Sequence, residues 1–117
     1  MSIRAKVDEL NSMILQGQIL DAFDKFYAEN VEMRDNDGEP RVGKPTCRQF
    51  EEAFVGGLTA FHGAELKGVA VNEEDGIAMN EWFFHFEHKD WGEQKYTQVA
   101  VQRWENGQIV DERFYHA

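Results

Sequence analysis

The spacing of apolar residues changes about halfway along the chain, and this change restricts the folds open to it. In the first half, apolar side chains recur every three or four positions, the period of a helix with one buried face. Such a stripe runs through Ile3, Val7, Leu10 and Ile14 and is interrupted at Gly17. From about residue 64 the period falls toward two, which is the period of a strand. The sequence therefore predicts helices first and a sheet afterwards.

Two further short helices are predicted before the sheet. Leu20, Phe23 and Tyr27 repeat at helical spacing and indicate the second helix. The apolar stripe of the third helix is Phe50, Phe54, Leu58 and Phe61. Its predicted start and end signals are Pro45, the capping-box pair Thr46 and Gln49, and Gly63.

Turn signals divide the second half into strands. They are EEDG at 73–76, KDWGE at 89–93 and ENGQ at 105–108. Asp-Gly and Asn-Gly favour tight hairpins because they tolerate positive φ angles. The strands predicted between them are 64–73, 77–89, 94–105 and 108–116. Short connections join neighbouring antiparallel strands. We therefore expect one α+β domain over 1–117, with three N-terminal helices packed on a curved antiparallel sheet.

Composition limits the function classes. The 117 residues carry 22 acidic and 12 basic side chains, a formal net charge of -10. A chain this acidic repels nucleic-acid phosphates and anionic membrane surfaces, so neither partner is expected. No apolar run approaches the roughly 18 residues of a membrane span. With Cys47 the only cysteine, no internal disulfide can form, which favours a reducing, cytoplasmic setting.

Alternation along 77–89 sorts its side chains onto two faces. One face carries Asn80, Trp82, Phe84, Phe86 and His88, and this apolar face suits the helices. The other carries Met79, Glu81, Phe83, His85 and Glu87. A sheet face with this mixture of aromatic and charged groups predicts a homodimer, and the alternative is a solvated surface.

Because residues three apart in a strand point to opposite faces, His85 and His88 cannot bind one metal ion. We expect no metal and no cofactor.

The order of elements, together with three stretches, resembles the NTF2-like superfamily and its SnoaL-like and ketosteroid-isomerase-like members. The stretches are DAFDKFYAENVEMRDNDGEPRVGKP, FEHK and RWENGQIVDERFY. The resemblance spans nearly the whole chain. It implies a cone-shaped α+β fold with a deep pocket between helices and sheet, commonly in a homodimer. Members include isomerases, polyketide cyclases, hydrolases, dehydratases and non-catalytic binders, so the fold transfers better than any activity.

The same resemblance implies a general base at Asp35. The isomerase subgroup places its catalytic Asp after the strand that follows helix two, where MRDNDGEPR has Asp35. Its two oxyanion donors align with Leu10 and Val101, which cannot donate a hydrogen bond. Ketosteroid isomerase activity is therefore not expected. The alternative for Asp35 is a turn residue, since Asp commonly caps turns, and Asp37 is the better candidate for that task.

The last predicted strand, IVDERFYHA, supplies further candidates. The resemblance directs the face of Val110, Glu112, Phe114 and His116 toward the pocket. Glu112 and His116 then become secondary polar groups, and a buried Glu112 needs either a partner or a raised pKa. Arg103 on the preceding strand is one such partner. The alternative is that the strand splays at its end and that both side chains meet water.

Large apolar side chains are the predicted walls of the pocket. They are Met33, Phe54, Phe61, Trp82, Phe84, Phe86, Val99, Val101 and Phe114. Such a set suits a flat, mainly hydrophobic ligand, and its alternative is a filled core. The leading hypothesis is a pocket protein for a small apolar carbonyl or polycyclic compound, with Asp35, Glu112 and His116 as catalytic groups. The second hypothesis is a non-catalytic binding or dimeric accessory domain.

Overall fold

The computed structural model describes residues 2–117. Within them the chain forms three helices and six strands, and the third helix lies between the second and third strands. The helices are α1 (Ile3–Leu15), α2 (Ile19–Phe26) and α3 (Lys44–Gly57). The strands are β1 (Tyr27–Asp35), β2 (Arg41–Val42), β3 (Leu58–Asn72), β4 (Ile77–His88), β5 (Gly92–Glu105) and β6 (Gln108–Tyr115). The predicted α+β class is confirmed.

The first two helices form for the reasons that the apolar spacing indicates. The hydroxyl of Ser2 caps α1 by accepting a hydrogen bond from the Ala5 N–H at 3.1 Å. Val7 and Leu10 are fully buried on the inner face of that helix. The second helix buries Phe23 and Phe26, but it ends before Tyr27, which starts β1 instead. The core gathers these side chains with residues of the sheet, among them Val31, Met33, Trp104 and Ile109.

The third helix is shorter than predicted. It begins after Gly43 with Pro45 in its first turn, and no side chain caps it, so the predicted capping box is not used. It ends at Gly57, six residues before the predicted Gly63, because Leu58 already pairs with His88 across the sheet. Phe61 therefore lies in β3 and not on the helix stripe.

The strands form one sheet in the order β2-β1-β6-β5-β4-β3. Strands β3 to β6 are the predicted antiparallel meander, with the predicted Gly76 and Asn106-Gly107 turns at positive φ. Strand β1 pairs with β6 in parallel, so the sheet is mixed and not purely antiparallel. This pairing sets the ends of β1 and β6 side by side, and it thereby assembles the site described below.

The two faces of β4 follow the prediction. Trp82 and Phe86 are buried on the inner face, whereas Met79 on the outer face is 47% exposed. The partner strand β5 presents Val99 and Val101 to the outer side as well, because its register with β4 sets Val101 opposite Met79 and Val99 opposite Glu81. The homodimer expected through this face stays a prediction.

No helix within residues 2–117 has the length and apolar character needed to cross a membrane.

Candidate functional site

A cavity of about 400 Å³ lies between the helices and the inner face of the sheet. Its walls come from all three helices and from five of the strands. Aromatic residues are the largest group in its lining: Phe23, Tyr27, Phe50, Phe54, Trp82, Phe84, Phe86, Trp91, Tyr96 and Phe114. Its polar lining comprises Asn11, Asp35, Arg41, Glu51, Gln94, Gln98, Gln102, Glu112 and His116. The interior is thus a largely apolar hollow with a small number of polar groups, as in ligand sites generally.

The cavity brings together most of the residues that the sequence indicated. Those that line it are Asp35, Glu112, His116, Phe54, Trp82, Phe84, Phe86 and Phe114. Their roles in binding or catalysis stay predictions. Four other predicted lining residues lie elsewhere, for three different physical reasons.

Val99 and Val101 do not line the cavity, because alternation along β5 turns Gln98, Ala100 and Gln102 inward and the two valines outward. Phe61 is 50% exposed in β3, beyond the end of α3. Met33 is buried in the packed core, where α3 covers β1.

Asp35 lies at the end of β1 and lines the cavity. Its Oδ2 accepts a hydrogen bond from Arg41 Nη1 at 3.1 Å, and its Oδ1 lies 3.2 Å from His116 Nε2. The adjoining turn is formed by its backbone carbonyl, which accepts from the Gly38 N–H at 2.9 Å, and not by its side chain. The side chain of Asp37 is 99% exposed, as expected for a turn residue. Asp35 thus both ends the strand and presents its carboxylate to the cavity.

His116 is held by the same turn. Its backbone N–H donates to Asn36 Oδ1 at 3.1 Å, and the Asn36 N–H donates to the Phe114 carbonyl at 2.8 Å. Asn36 adopts φ 50°, a left-handed conformation that Asn tolerates better than most residues. The strand therefore does not splay at this end, and the imidazole is fixed beside Asp35.

A second polar cluster is buried deeper in the cavity. Glu112 accepts a hydrogen bond from the Tyr27 hydroxyl on Oε1 and one from Gln102 Nε2 at 2.8 Å on Oε2. The Trp104 Nε1–H in turn donates to Gln102 Oε1 at 3.1 Å. Burial raises the pKa of Glu112 to about 7, although the hydrogen bonds from Tyr27 and Gln102 oppose the rise. Burial, with the charge of Glu112, also raises the pKa of Tyr27 well above its usual range.

Arg103 is not the partner of Glu112. It is exposed on the outer face and lies opposite Asp111 in the β5–β6 register. The partners of Glu112 are neutral donors on the inner face. The prediction that Glu112 requires a partner holds, but the predicted partner was wrong because β5 was assigned the opposite face.

Glu51 is an ionisable lining residue that the sequence reasoning missed. It lies on α3, one turn before Phe54, and the two side chains line the same cavity. Burial, followed by the charge of Glu112, raises the pKa of Glu51 to about 7, and the charge of Arg41 opposes the rise. Its carboxyl group makes no hydrogen bond or ion pair to the rest of residues 2–117. The signal was its spacing of three from Phe54, which places both on one helix face.

Arg41 is the second missed residue. Its guanidinium carbon lies 4.0 Å from the centre of the Phe50 ring, and Nη1 binds Asp35. Its Nε and Nη2 atoms are buried and have no hydrogen-bond partner in the described chain.

Elsewhere His62 pairs with Glu87 and His85 pairs with Glu93. No group of three or more potential ligands in residues 2–117 is placed to hold a metal ion.

The fold is shared with solved structures of low sequence identity. A protein of Mesorhizobium loti, provisionally described as a SnoaL-like polyketide cyclase, is 23% identical with a TM-score of 0.86, over 98% of this chain and 99% of that one. A provisionally described isomerase of Bacillus subtilis is 12% identical with a TM-score of 0.76, over 97% and 84%. An LEH-like epoxide hydrolase of M. tuberculosis is 12% identical with a TM-score of 0.75, over 97% and 80%.

These likenesses confirm the cone-shaped α+β fold and carry no activity to this chain. No curated protein matches the sequence. The family profile of the SnoaL-like domain, however, matches residues 7–112, which is nearly the whole chain. The chain therefore belongs to the SnoaL-like domain family.

Proposed function

We propose that the protein binds a small, mainly apolar oxygen-containing compound in the cavity and transforms it by acid–base catalysis of the isomerase or cyclase type. The observation that carries the proposal is the convergence of Asp35, Glu112 and His116 on one aromatic-lined cavity. Dispersal of these side chains to separate surfaces would have favoured a binding domain without chemistry. An apolar enclosure also strengthens the electrostatic effects on which acid–base catalysis depends.

Asp35 is the proposed base. Each of its carboxylate oxygens lies beside a polar partner, Arg41 or His116, so the group is oriented, yet its side chain remains 44% exposed. It would remove a proton from the carbon next to a substrate carbonyl. In an isomerase the proton returns to another carbon, and in a cyclase the carbanion attacks a second carbonyl of the same molecule. Glu112, when protonated, supplies an acid for the developing oxyanion.

The first experiment identifies a ligand. A metabolite library is screened by thermal shift, because a compound that binds the folded state raises its melting temperature. Each hit is then incubated with the protein, and its conversion is followed by mass spectrometry and NMR. Exchange of its α-protons with deuterated water reports proton removal even where no net product forms.

The second experiment tests the base. Asp35→Asn keeps the size of the side chain but removes its basicity, so we expect turnover or α-proton exchange to fall at least about 100-fold, the range typical for loss of a general base. Asp37→Asn is the matched control in the same turn, and it should react at the wild-type rate. Equal rates for Asp35→Asn and wild type would refute the assignment of the base.

A non-catalytic binder is the second candidate, and one observation favours it. Leu10, which aligns with an oxyanion donor of the isomerase subgroup, lines the cavity without a donor group. In that case thermal-shift hits would be recovered unchanged, and wild type and Asp35→Asn would both fail to exchange the α-protons.

A further inference from the structure

The guanidinium of Arg41 is only partly used by the protein. Its side chain is 19% exposed, and of its three nitrogens only Nη1 has a partner, the carboxylate of Asp35. Nε and Nη2 are buried and unpaired within residues 2–117. A buried donor without an acceptor destabilises the fold, and most native proteins avoid one. Two on one side chain leave an edge of the guanidinium that an acceptor from outside the chain, a ligand or a water, can complete.

The position of the unpaired atoms defines the shape of that acceptor. Nε and Nη2 form the side edge of the planar guanidinium, and their N–H bonds point in parallel. This edge matches the two oxygens of a carboxylate, which accept in a bidentate pair. A lone carbonyl oxygen can accept from both donors, but it supplies neither the negative charge nor the two parallel bonds of a carboxylate. The Phe50 ring, 4.0 Å from the guanidinium carbon, holds the plane of the group.

The rest of the cavity defines the remainder of the ligand. Arg41 lines the same hollow as Trp82, Phe84 and Phe86, so a molecule that reaches the guanidinium must place its other atoms among aromatic rings. Glu51 lies near Arg41 but forms no ion pair with it, so no cation in the described residues neutralises the charge of Glu51. An added anion is tolerated there when Glu51 holds a proton, which its raised pKa of about 7 permits near neutral pH.

We propose that the ligand of this cavity is a mainly apolar carboxylic acid, and that its carboxylate binds side-on to Nε and Nη2 of Arg41. The inference rests on the proposed function in one respect, the presence of an apolar ligand in the cavity, and adds the chemical class of that ligand. Because both nitrogens are covered in this conformation, binding also requires a small shift of the arginine side chain or of the groups that cover it. Arg41 thereby becomes the residue that sets specificity.

The test compares each acid with its own uncharged analogue. The probes are benzoic, 1-naphthoic, 1-naphthylacetic and diphenylacetic acids, each paired with its primary amide, and binding is measured by calorimetry at pH 6.5. In wild type we expect at least one acid to bind about tenfold or more tightly than its amide, as for a charge-assisted bidentate pair. The amide retains the rings, so the ratio isolates the carboxylate.

Variants assign that ratio to one side chain. In Arg41→Gln the acid should lose its advantage while the amide still binds, which also shows that the variant is folded. Arg41→Lys keeps the positive charge but lacks the two parallel N–H donors of the guanidinium. It should therefore retain only part of the acid-to-amide affinity ratio of wild type. Arg103→Gln is the matched control, since it removes an exposed arginine from the outer face of the sheet and should leave the ratio unchanged.

Each outcome separates the inference from the proposed function. Equal binding of acid and amide to wild type would refute the inference and leave the apolar binding function intact. If no probe of either kind binds, the inference fails, whereas the binding function is judged separately by the thermal-shift screen. An acid preference that appears only in Glu51→Gln would show that Glu51 occupies the arginine edge in solution, which also overturns the inference.

Discussion

Glu112 accepts a hydrogen bond on each of its oxygens, from the Tyr27 hydroxyl and from the Gln102 amide. Both donors are neutral, so they support the charged carboxylate without cancelling its charge. Burial opposes ionisation, and the balance leaves the pKa of Glu112 at about 7. The two donors therefore decide how far the pKa of this carboxyl departs from that of an ordinary glutamate.

Tyr27→Phe tests that balance. The substitution keeps the ring but leaves Glu112 Oε1 without its donor in a buried place, so we expect a loss of about 1–3 kcal/mol in the free energy of unfolding. The pKa of Glu112 should rise further, which makes the loss larger at pH 8 than at pH 5. Urea denaturation at both pH values measures it. Tyr115→Phe, on the exposed outer face, should change stability by less than about 0.5 kcal/mol.

Residue identity alone could indicate Asp35, Glu112 and His116, but not the whole polar lining. Arg41 follows a Pro in an acidic turn, and Glu51 lies beside a second glutamate on an amphipathic helix. Isolated charges in such settings are usually solvated, so nothing local distinguishes these two. Their place in the cavity depends on how α3 packs over the end of β1, which is a tertiary property.

At the scale of elements, α3 carries much of the cavity wall, with Phe50, Glu51 and Phe54. Its last residue, Gly57, meets the end of β4, where a Cβ atom would lie 2.1 Å from His88 Nε2. That imidazole nitrogen also lies 3.1 Å from the Ala53 carbonyl of the same helix. The absence of a side chain at Gly57 therefore sets how closely the helix approaches the sheet.

Gly57→Ala should move the helix away from the sheet. The added methyl group collides with a buried, stacked imidazole, so we expect a destabilisation of about 1–3 kcal/mol. Gly56→Ala is the matched control one residue earlier, where a Cβ meets nothing within 4 Å, and it should be neutral or stabilising by up to about 1 kcal/mol. Thermal denaturation of both variants measures the difference. Equal stability of the two would contradict this role of Gly57.

The elements were predictable where local chemistry decides them. Asp75-Gly76 and Asn106-Gly107 located two hairpins, since few residues other than Gly and Asn accept positive φ there. The end of α3 was not predictable from the sequence. Leu58 and Phe61 continue the helical spacing of apolar residues, yet both pair with β4 as part of β3. The face of β5 was also missed, since the outward-facing Val99 and Val101 are more apolar than the inward-facing Ala100, and alternation does not say which face is buried.

For the whole molecule, the two carboxyls with raised pKa link stability to pH. Folding raises the pKa of Glu51 and of Glu112 from 4.5 to about 7, so the folded chain holds more protons than the unfolded chain between these values. Their contribution to stability therefore falls as the pH rises from about 4.5 through 7. Asp35 and Arg41 face Glu51 from the neighbouring strands and modulate its charge.

Glu51→Gln should remove one share of this dependence. The variant cannot ionise, so its stability relative to wild type should increase by about 1–2 kcal/mol between pH 5 and pH 8, after allowance for solvent in the cavity. Chemical denaturation at a series of pH values measures the trend. Glu105→Gln, at an exposed strand end, corrects for the change in net charge. A difference that stays constant with pH would show that Glu51 is already ionised throughout.

The parallel pairing of β1 with β6 has a consequence for the order of folding events. Tyr27 and Glu112 are 85 residues apart in sequence, and Asp35 and His116 are 81 apart. Closing loops of this length is slow, because the chain loses conformational entropy before the long-range contacts form and stabilise the closed state. An intermediate that lacks β6 would have much of the aromatic hollow but neither carboxyl cluster complete. We therefore expect the proposed ligand binding to appear late in refolding, and a stopped-flow binding signal would time the docking of the final strand.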